Sequence, residues 1–181
     1  MKKSIFAILL VIILLLTACY FLGTRETVSH NILEWDYVTE TNDYLPSVSN
    51  MGSYEDLEFK HLHKDILTFK SDAYILIASY DKEETFNYQK QRLTEGLVFQ
   101  DVVKDYGDKE RMASFEFDGF SFQMLSLEEY ELSYPERISF VGISEEKNKL
   151  AFIYFEDAEL DYIDEEFSNF LIEECGWELT E

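Results

Sequence analysis

Basic residues are scarce in this sequence. Lys and Arg together number 15 against 37 Asp and Glu, so the formal net charge is −22. A surface of this sign repels the phosphates of nucleic acids and the anionic headgroups of membranes, which are bound through basic side chains. The composition therefore excludes nucleic acid as a partner. It favours a cationic partner, and solvation of the surface is the alternative explanation of the charge.

Common catalytic motifs are missing as well. The chain has no G-x-S-x-G nucleophile elbow, no P-loop and no G-x-G-x-x-G turn. The tetrapeptide from Ser144 to Lys147 fits S-x-x-K and in this respect is similar to penicillin-interacting serine enzymes. The S-D-N and K-T-G elements of that family are absent, and a solvated hairpin loop is predicted here. The sequence thus predicts a non-catalytic protein without a cofactor.

Cysteine is rare. Its two positions are Cys19 and Cys175, and Cys19 belongs to the leader described below. No intramolecular disulfide is then available, so burial of a core must stabilise the fold. The neighbours of Cys175 include Glu173, Glu174 and Glu178, whose charges oppose thiolate formation. We expect Cys175 to be a small apolar residue of a helix and not a reactive thiol.

The first 22 residues have the organisation of an export signal. Lys2 and Lys3 precede an apolar run from Ile5 to Leu16, and a small residue, Ala18, follows. A basic start, an apolar segment and a small residue before the cleavage point form the secretory pattern. The basic start keeps the N-terminus in the cytoplasm, so the rest of the chain is predicted to lie outside.

A second pattern lies at the end of this leader. Leu16-Thr17-Ala18-Cys19 resembles the lipobox of bacterial lipoproteins, and the layout is similar to that of small Gram-positive envelope lipoproteins. The resemblance implies that Cys19 is lipidated, becomes the mature N-terminus and holds the domain on the extracytoplasmic face of the cell membrane. It implies no activity. The alternative is an uncleaved anchor, because the apolar run continues to Leu22 and about 17 to 25 residues span a bilayer core.

The remainder is predicted to contain one domain, for which its length is sufficient. Residues 23–31 are polar and without periodicity, which is typical of a spacer. Trp35 marks an ordered arm, so residues 23–43 are interpreted as spacer and arm. Residues 44–181 are interpreted as a single globular domain.

The middle of the domain predicts strands followed by a helix. Residues 73–80 are apolar on both faces and predict a central strand, after a less regular strand at 57–69. Asp81 and Glu84 predict the N-cap of a helix and its reciprocal partner. Gly96 predicts the left-handed C-cap of the same helix.

Two hairpins and a final helix follow. Asp118 and Gly119 predict a two-residue turn between strands 114–117 and 120–123. A second hairpin joins strands 137–143 and 149–155 through residues 144–148, and its return strand is apolar at every position from Leu150 to Phe155. A last helix is predicted at 161–175. These elements predict an α+β fold, with an antiparallel β-sheet and helices packed on one face.

His61, His63 and Asp65 form the candidate metal site of the sequence. Two histidines separated by one residue share one face of a strand. With Asp65 they resemble the first half of the HxHxDH motif of metallo-β-lactamase-like hydrolases, but Ile66 replaces the next ligand. A catalytic zinc needs three protein ligands. The alternative is a pair of half-exposed strand histidines without a function.

A dense group of carboxylates occupies residues 156–166. An EF-hand loop begun at Asp157 would need Gly and Glu where the chain has Tyr162 and Ser168. Helix capping and solvation explain the group, and loose Ca²⁺ or Mg²⁺ binding is the alternative.

The predicted function is that of a membrane-tethered extracytoplasmic lipoprotein whose acidic domain binds a partner non-covalently. A cationic protein or peptide is the expected class of partner, and an inhibitor or immunity role against a basic toxin is one version. Exposed aromatic residues would mark the partner site. The alternative is a metal-dependent envelope enzyme that uses His61, His63 and carboxylates.

Overall fold

The computed structural model describes residues 24–66, 69–100, 102–104, 110–112, 114–117, 119–125 and 136–157, and the single leader positions Val11 and Ile13. Cys19, Cys175, the predicted last helix and most of the 156–166 carboxylates lie outside these residues. The expectations for them stay predictions. In the described part of the chain, no helix is both long and apolar enough to cross a membrane.

The described strands form one large sheet and one small one. They are β1 (Thr24–Ser29), β2 (Asp56–Ile66), β3 (Phe69–Ser79), β4 (Val102–Lys104), β5 (Glu110–Met112), β6 (Ser114–Phe117), β7 (Phe120–Met124), β8 (Glu136–Ser144) and β9 (Lys149–Asp157). The large sheet has the order β1-β2-β3-β9-β8-β7-β6, and β4 pairs with β5 alone. Every pairing is antiparallel.

Two helices, α1 (Leu33–Thr41) and α2 (Glu83–Thr94), pack on the same face of the large sheet. Trp35 and Val38 of α1 and Phe86 of α2 are buried in one apolar cluster with Leu76 and Phe152 of the sheet. The prediction of an α+β fold, with an antiparallel sheet and helices on one face, is confirmed.

Strand β9 lies in the middle of the sheet and is buried on both faces. Leu150, Phe152 and Tyr154 belong to the helix-covered core, whereas Ala151, Ile153 and Phe155 belong to a second core on the opposite face. Alternate side chains of a strand point to opposite faces, so an unbroken apolar run suits this position. The strand predicted at residues 73–80 is β3, which pairs with β9 and is buried in the same way.

The two predicted hairpins are also confirmed. In the first, Phe117 pairs with Phe120 across the predicted turn. In the second, β8 pairs with β9 along their whole lengths, from Glu136 opposite Asp157 to Ser144 opposite Lys149. Ser144 thus ends a strand and Lys147 lies in the loop that follows it, as expected for the S-x-x-K tetrapeptide.

The interpretation of residues 23–31 as a spacer is wrong, whereas the ordered arm expected around Trp35 is helix α1. Residues 24–29 form β1, which pairs along β2, and Trp35 of α1 is fully buried. The Trp35 indole N–H also donates a hydrogen bond to the Pro46 carbonyl over 2.8 Å. The fold therefore includes residues well before position 44. An edge strand pairs on one side only, so its side chains can be polar and its sequence can look like a linker.

The predicted helix cap is wrong at one end. Helix α2 begins at Glu83, so Lys82 and not Asp81 holds the N-cap position, and no side chain caps the helix there. The prediction for the other end is confirmed, since Gly96 has a left-handed backbone with φ of +84°.

Candidate functional site

The helix-covered face of the sheet changes from apolar to polar along β2 and β3. On this face the buried side chains include Phe59 of β2 and Tyr74 of β3. Side chains two positions apart in a strand point to the same face. The next residues on this face are therefore His61 and His63 in β2 and Asp72 in β3, all partly buried.

The antiparallel register brings these three side chains together. His63 lies directly opposite Asp72, and His61 lies opposite Tyr74. One oxygen of Asp72, Oδ1, is 2.7 Å from Nε2 of His61 and 2.7 Å from Nδ1 of His63. A single carboxylate oxygen thus stands between two imidazole rings.

The outer nitrogen of each ring faces another carboxylate. Nδ1 of His61 lies 2.6 Å from Oε2 of Glu34 in α1, and Nε2 of His63 lies 3.1 Å from Oδ2 of Asp65. We call Glu34, His61, Asp72, His63 and Asp65 the His–carboxylate cluster. In it, carboxylates and imidazoles alternate from the helix to the strand.

Two further contacts fix the first half of the cluster. The hydroxyl of Ser29 in β1 donates a hydrogen bond to the other oxygen of Glu34 over 2.7 Å. The His61 ring stacks on Tyr74 with centroids 4.0 Å apart and planes 10° apart. Because stacking fixes the plane of the ring and Glu34 fixes one nitrogen, Nε2 of His61 is aimed at Asp72.

The charges in the cluster stabilise one another. Burial alone would lower the pKa of His61, but its hydrogen bonds to Asp72 and Glu34 outweigh burial and raise that pKa. The pKa of His63 is raised in the same way, against burial, by Asp72 and Asp65. Burial would raise the pKa of the Asp72 carboxyl, but the two imidazoles lower it. The pKa of Glu34 is lowered, first by the hydroxyl of Ser29 and then by His61.

Three members of the cluster are close enough together that they could hold a metal ion. His61, His63 and Asp72 each offer one ligand atom, and these atoms all lie within 4.8 Å of one another. Their side chains keep 15%, 25% and 23% of their surface exposed, so water and ions reach them. Two imidazoles and a carboxylate suit zinc and other first-row divalent metals better than Ca²⁺ or Mg²⁺.

The sequence identified part of this arrangement. It placed His61 and His63 on one face, and the structure has them there. It joined Asp65 to them as the carboxylate, but Asp65 faces the outer nitrogen of His63, and Asp72 occupies the position between the rings. Asp72 and Glu34 were not predicted from the sequence.

The third histidine of the chain is apart from the cluster. Nδ1 of His30 donates a hydrogen bond to the carbonyl of Phe59 over 2.9 Å. His30 therefore helps to join the end of β1 to β2 and contributes no ligand to the group of His61, His63 and Asp72.

No protein-family model, curated protein or solved structure matches this chain. Its function is therefore inferred from its own residues.

A second feature is the outer side of α1. Leu33, Asp36, Tyr37 and Glu40 follow the spacing i, i+3, i+4, i+7 and share the face opposite the buried Trp35 and Val38. Leu33 is 69% exposed and Tyr37 is 64% exposed, and both carboxylates beside them are exposed. We call these four residues the α1 outer face.

The first of the 156–166 carboxylates lies within the described chain. Glu156 accepts a hydrogen bond from the Arg137 guanidinium over 2.9 Å and another from the Tyr154 hydroxyl over 3.3 Å. It also lies opposite Asp72 in the register of β3 and β9. The hydrogen bonds from Arg137 and Tyr154 account for the position of the Glu156 carboxylate without a bound cation.

Proposed function

We propose that this protein is a membrane-tethered extracytoplasmic domain that binds a cationic protein or peptide without covalent chemistry. The export pattern of residues 1–22 and the lipobox-like Leu16-Thr17-Ala18-Cys19 support the tether and the location. The net charge of −22 supports a partner of opposite sign. The α1 outer face is the observation that carries the proposal.

The α1 outer face combines the two properties of a protein-binding surface. Leu33 and Tyr37 are adjacent on the helix and expose about two thirds of their surface, so a partner can bury both. Tyrosine is frequent among the residues that dominate binding energy, and full burial of a Leu side chain contributes about 1.5 to 3 kcal/mol.

The charges of the same surface select the partner. Asp36 and Glu40 flank the apolar pair, and the last turn of α1 contains no basic residue. The carbonyl groups at the C-terminus of a helix add partial negative charge close to Glu40. A partner with apolar side chains flanked by Lys or Arg matches this pattern, and its approach is accelerated by the field of the whole domain.

The test uses the full chain in non-ionic detergent micelles and a fluorescent amphipathic peptide of Lys and Leu. Fluorescence anisotropy should show binding at low salt and loss of binding near 1 M salt, where charges are screened beyond about 3 Å. A peptide of Glu and Leu with the same length is the control. Equal binding of both peptides, or binding that salt leaves unchanged, would contradict the proposal.

The chain offers matched controls for the surface itself. Tyr37→Ser should weaken binding of the Lys and Leu peptide by about tenfold or more, whereas Tyr88→Ser should leave it unchanged. Tyr88 lies on α2 and is 63% exposed, almost the same as Tyr37. The double variant Asp36→Lys and Glu40→Lys should abolish binding of the Lys and Leu peptide. The double variant Glu95→Lys and Glu146→Lys makes the same change in net charge at exposed positions outside α1, and it should weaken binding less.

A metal-dependent envelope enzyme is the second candidate. The convergence of His61 and His63 on Asp72 favours it, because three protein ligands are the number found in catalytic zinc sites. Stoichiometric binding of a metal ion is its first requirement. Failure of zinc to bind the full chain would remove this candidate and would leave the partner-binding proposal intact.

A further inference from the structure

The strongest unassigned chemistry of the described chain lies where His61, His63 and Asp72 meet. The three side chains come from two adjacent strands, whose register places His63 against Asp72 and His61 one pair further along. The backbone positions of the three residues are fixed relative to one another, because β2 and β3 are each paired on both sides. Sites built on strands hold such geometry better than sites on loops.

The outer contacts of the two rings prepare the inner nitrogens for a metal. A metal-bound histidine usually donates the hydrogen on its other ring nitrogen to a carboxylate or carbonyl, which fixes the tautomer and the ring orientation. Here Nδ1 of His61 faces Glu34 at 2.6 Å and Nε2 of His63 faces Asp65 at 3.1 Å. Each outer nitrogen can therefore carry the hydrogen, and each inner nitrogen can offer a lone pair.

From this geometry we infer that the protein binds one zinc-class divalent metal ion through Nε2 of His61, Nδ1 of His63 and the carboxylate of Asp72. Glu34 and Asp65 orient the two imidazoles and do not bind the metal. The hydroxyl of Ser29 in turn positions Glu34. The site differs from the sequence hypothesis in its carboxylate, which is Asp72 and not Asp65.

The distances in the cluster fit this assignment after a small movement. Zinc binds nitrogen and oxygen ligands at about 2.0 to 2.1 Å, so ligand atoms of a tetrahedral site lie about 3.3 Å apart. The two nitrogens are now 2.7 Å from Oδ1 of Asp72. Opening each contact by about 0.6 Å admits the ion. Rotation of partly exposed side chains achieves this without a change in the strands.

The charge of the cluster fits as well. With neutral imidazoles, Glu34, Asp72 and Asp65 leave three negative charges close together. Protonation of both imidazoles adds two positive charges, and one divalent cation bound between neutral imidazoles adds the same two. Nitrogen ligands favour zinc over Ca²⁺ and Mg²⁺, which bind through oxygen atoms. In the part of the chain that the structure describes, no other group of three His, Cys, Asp or Glu side chains is close enough to hold a metal ion.

The test measures zinc bound to the full 181-residue chain, purified in non-ionic detergent without a polyhistidine tag. Equilibrium dialysis against buffered zinc, with excess Ca²⁺ to occupy exposed carboxylates, should retain one zinc per chain. Asp72→Asn and His63→Gln should each weaken zinc binding by more than about 100-fold. His30→Gln is the matched control, because it removes a histidine outside the cluster, and it should bind zinc like the unchanged chain.

The Asp65→Asn variant separates ligands from orienting residues. Loss of an orienting carboxylate usually weakens metal affinity by about 10- to 100-fold, which is less than the loss of a ligand. Thermal unfolding of each variant without metal shows whether it is folded. If Asp72→Asn does not fold, the comparison of the two single variants Asp65→Asn and His63→Gln tests the inference. Absence of retained zinc in the unchanged chain would overturn the inference. Equal retention by the unchanged chain, Asp72→Asn and His63→Gln would overturn it too.

Discussion

His63 and Asp72 lie directly opposite each other in adjacent antiparallel strands, with Nδ1 and Oδ1 2.7 Å apart. This cross-strand pair is the centre of the polar end of the helix-covered face. Because β2 and β3 both continue into the apolar core, the same backbone pairing that builds the fold also places the two groups. The register of β2 and β3 therefore determines both the sheet and the position of His63 opposite Asp72.

The cluster predicts how stability depends on pH when metal is removed by a chelator. The pKa values of His61 and His63 are raised above 6.5, so their contribution to folding is complete below pH 6.5 and is lost as pH rises through the raised values. The pKa values of Asp72 and Glu34 are lowered from 3.8 and 4.5, so their contribution is lost only as pH falls through the lowered values. The cluster should stabilise the fold most between pH 4.5 and 6.5.

Urea unfolding across this pH range measures the effect. Among the side chains that the structure describes, those facing the two imidazoles include Glu34 from α1, Asp65 from β2, and Asp72 and Tyr74 from β3. Strand β1 places Ser29 opposite His61 and Thr27 opposite His63. The free energy of unfolding of the unchanged chain should fall above pH 6.5 relative to that of His63→Gln. His30→Gln should follow the unchanged chain. If the unchanged chain instead became more stable relative to His63→Gln as the pH rises, the raised pKa of His63 would be contradicted.

Zinc should also raise thermal stability. A ligand that binds only the folded state stabilises it by about 2.7 kcal/mol at a free concentration 100 times Kd. For a chain of this length that corresponds to a rise in Tm of roughly 5 to 10 °C. Thermal unfolding with zinc, and then with zinc plus a chelator, should show the rise and its reversal. The same Tm shift in Asp72→Asn would assign the stabilisation to another site.

The sheet makes a prediction at Gly142 of β8. Gly142 lies opposite Phe122 of β7, and a Cβ atom added at Gly142 would collide with the ring of Phe122. Both residues are buried, so the ring has little room to move. Gly142→Ala should therefore destabilise the fold by about 1 to 3 kcal/mol. Urea unfolding measures this cost.

A second substitution tests the cause of that cost. Phe122→Leu should destabilise the unchanged chain but should remove most of the penalty of Gly142→Ala, because the smaller side chain leaves room for the methyl group. Gly96→Ala is a contrasting variant, since no atom lies within 4 Å of the added Cβ and only the left-handed backbone opposes it. Additive effects of the changes at 122 and 142 would show that the ring does not cause the penalty.

The tether is tested by the mass of the membrane-extracted protein. If the resemblance to lipoproteins holds, the mature chain begins at Cys19 and carries a diacylglyceryl group. Cys19→Ser should then retain the whole leader, while Cys175→Ser should be processed normally. An unprocessed full-length mass for both the unchanged chain and Cys175→Ser would instead support the uncleaved anchor, and the domain would still be tethered.

Much of the fold could be predicted from local sequence. The runs that became β3 and β9 are long, apolar and bounded by turn residues, and Gly119 marks the first hairpin. These signals depend on neighbours in the chain. The strand β1 gave no such signal, because only its backbone is needed at the edge of the sheet, and its pairing with β2 is decided by residues more than 30 positions away.

The candidate site could be predicted only in part, for the same reason. His61 and His63 share a face through the two-residue period of a strand, which is visible locally. Asp72 would have followed from recognising β2 and β3 as one hairpin, since Ile66 opposite Phe69 sets His63 opposite Asp72. Glu34 depends on how α1 packs over the sheet, through the burial of Trp35 and Val38. No local pattern contains that information.

X-ray absorption spectroscopy at the zinc edge, on the full chain loaded with one zinc, tests the central claim most directly. The account predicts scattering from two imidazole ligands and at least one oxygen ligand at about 2.0 to 2.1 Å, and loss of one imidazole in His63→Gln. A shell of oxygen atoms without imidazole scattering would contradict it, because zinc would then be held by carboxylates and not by His61, His63 and Asp72.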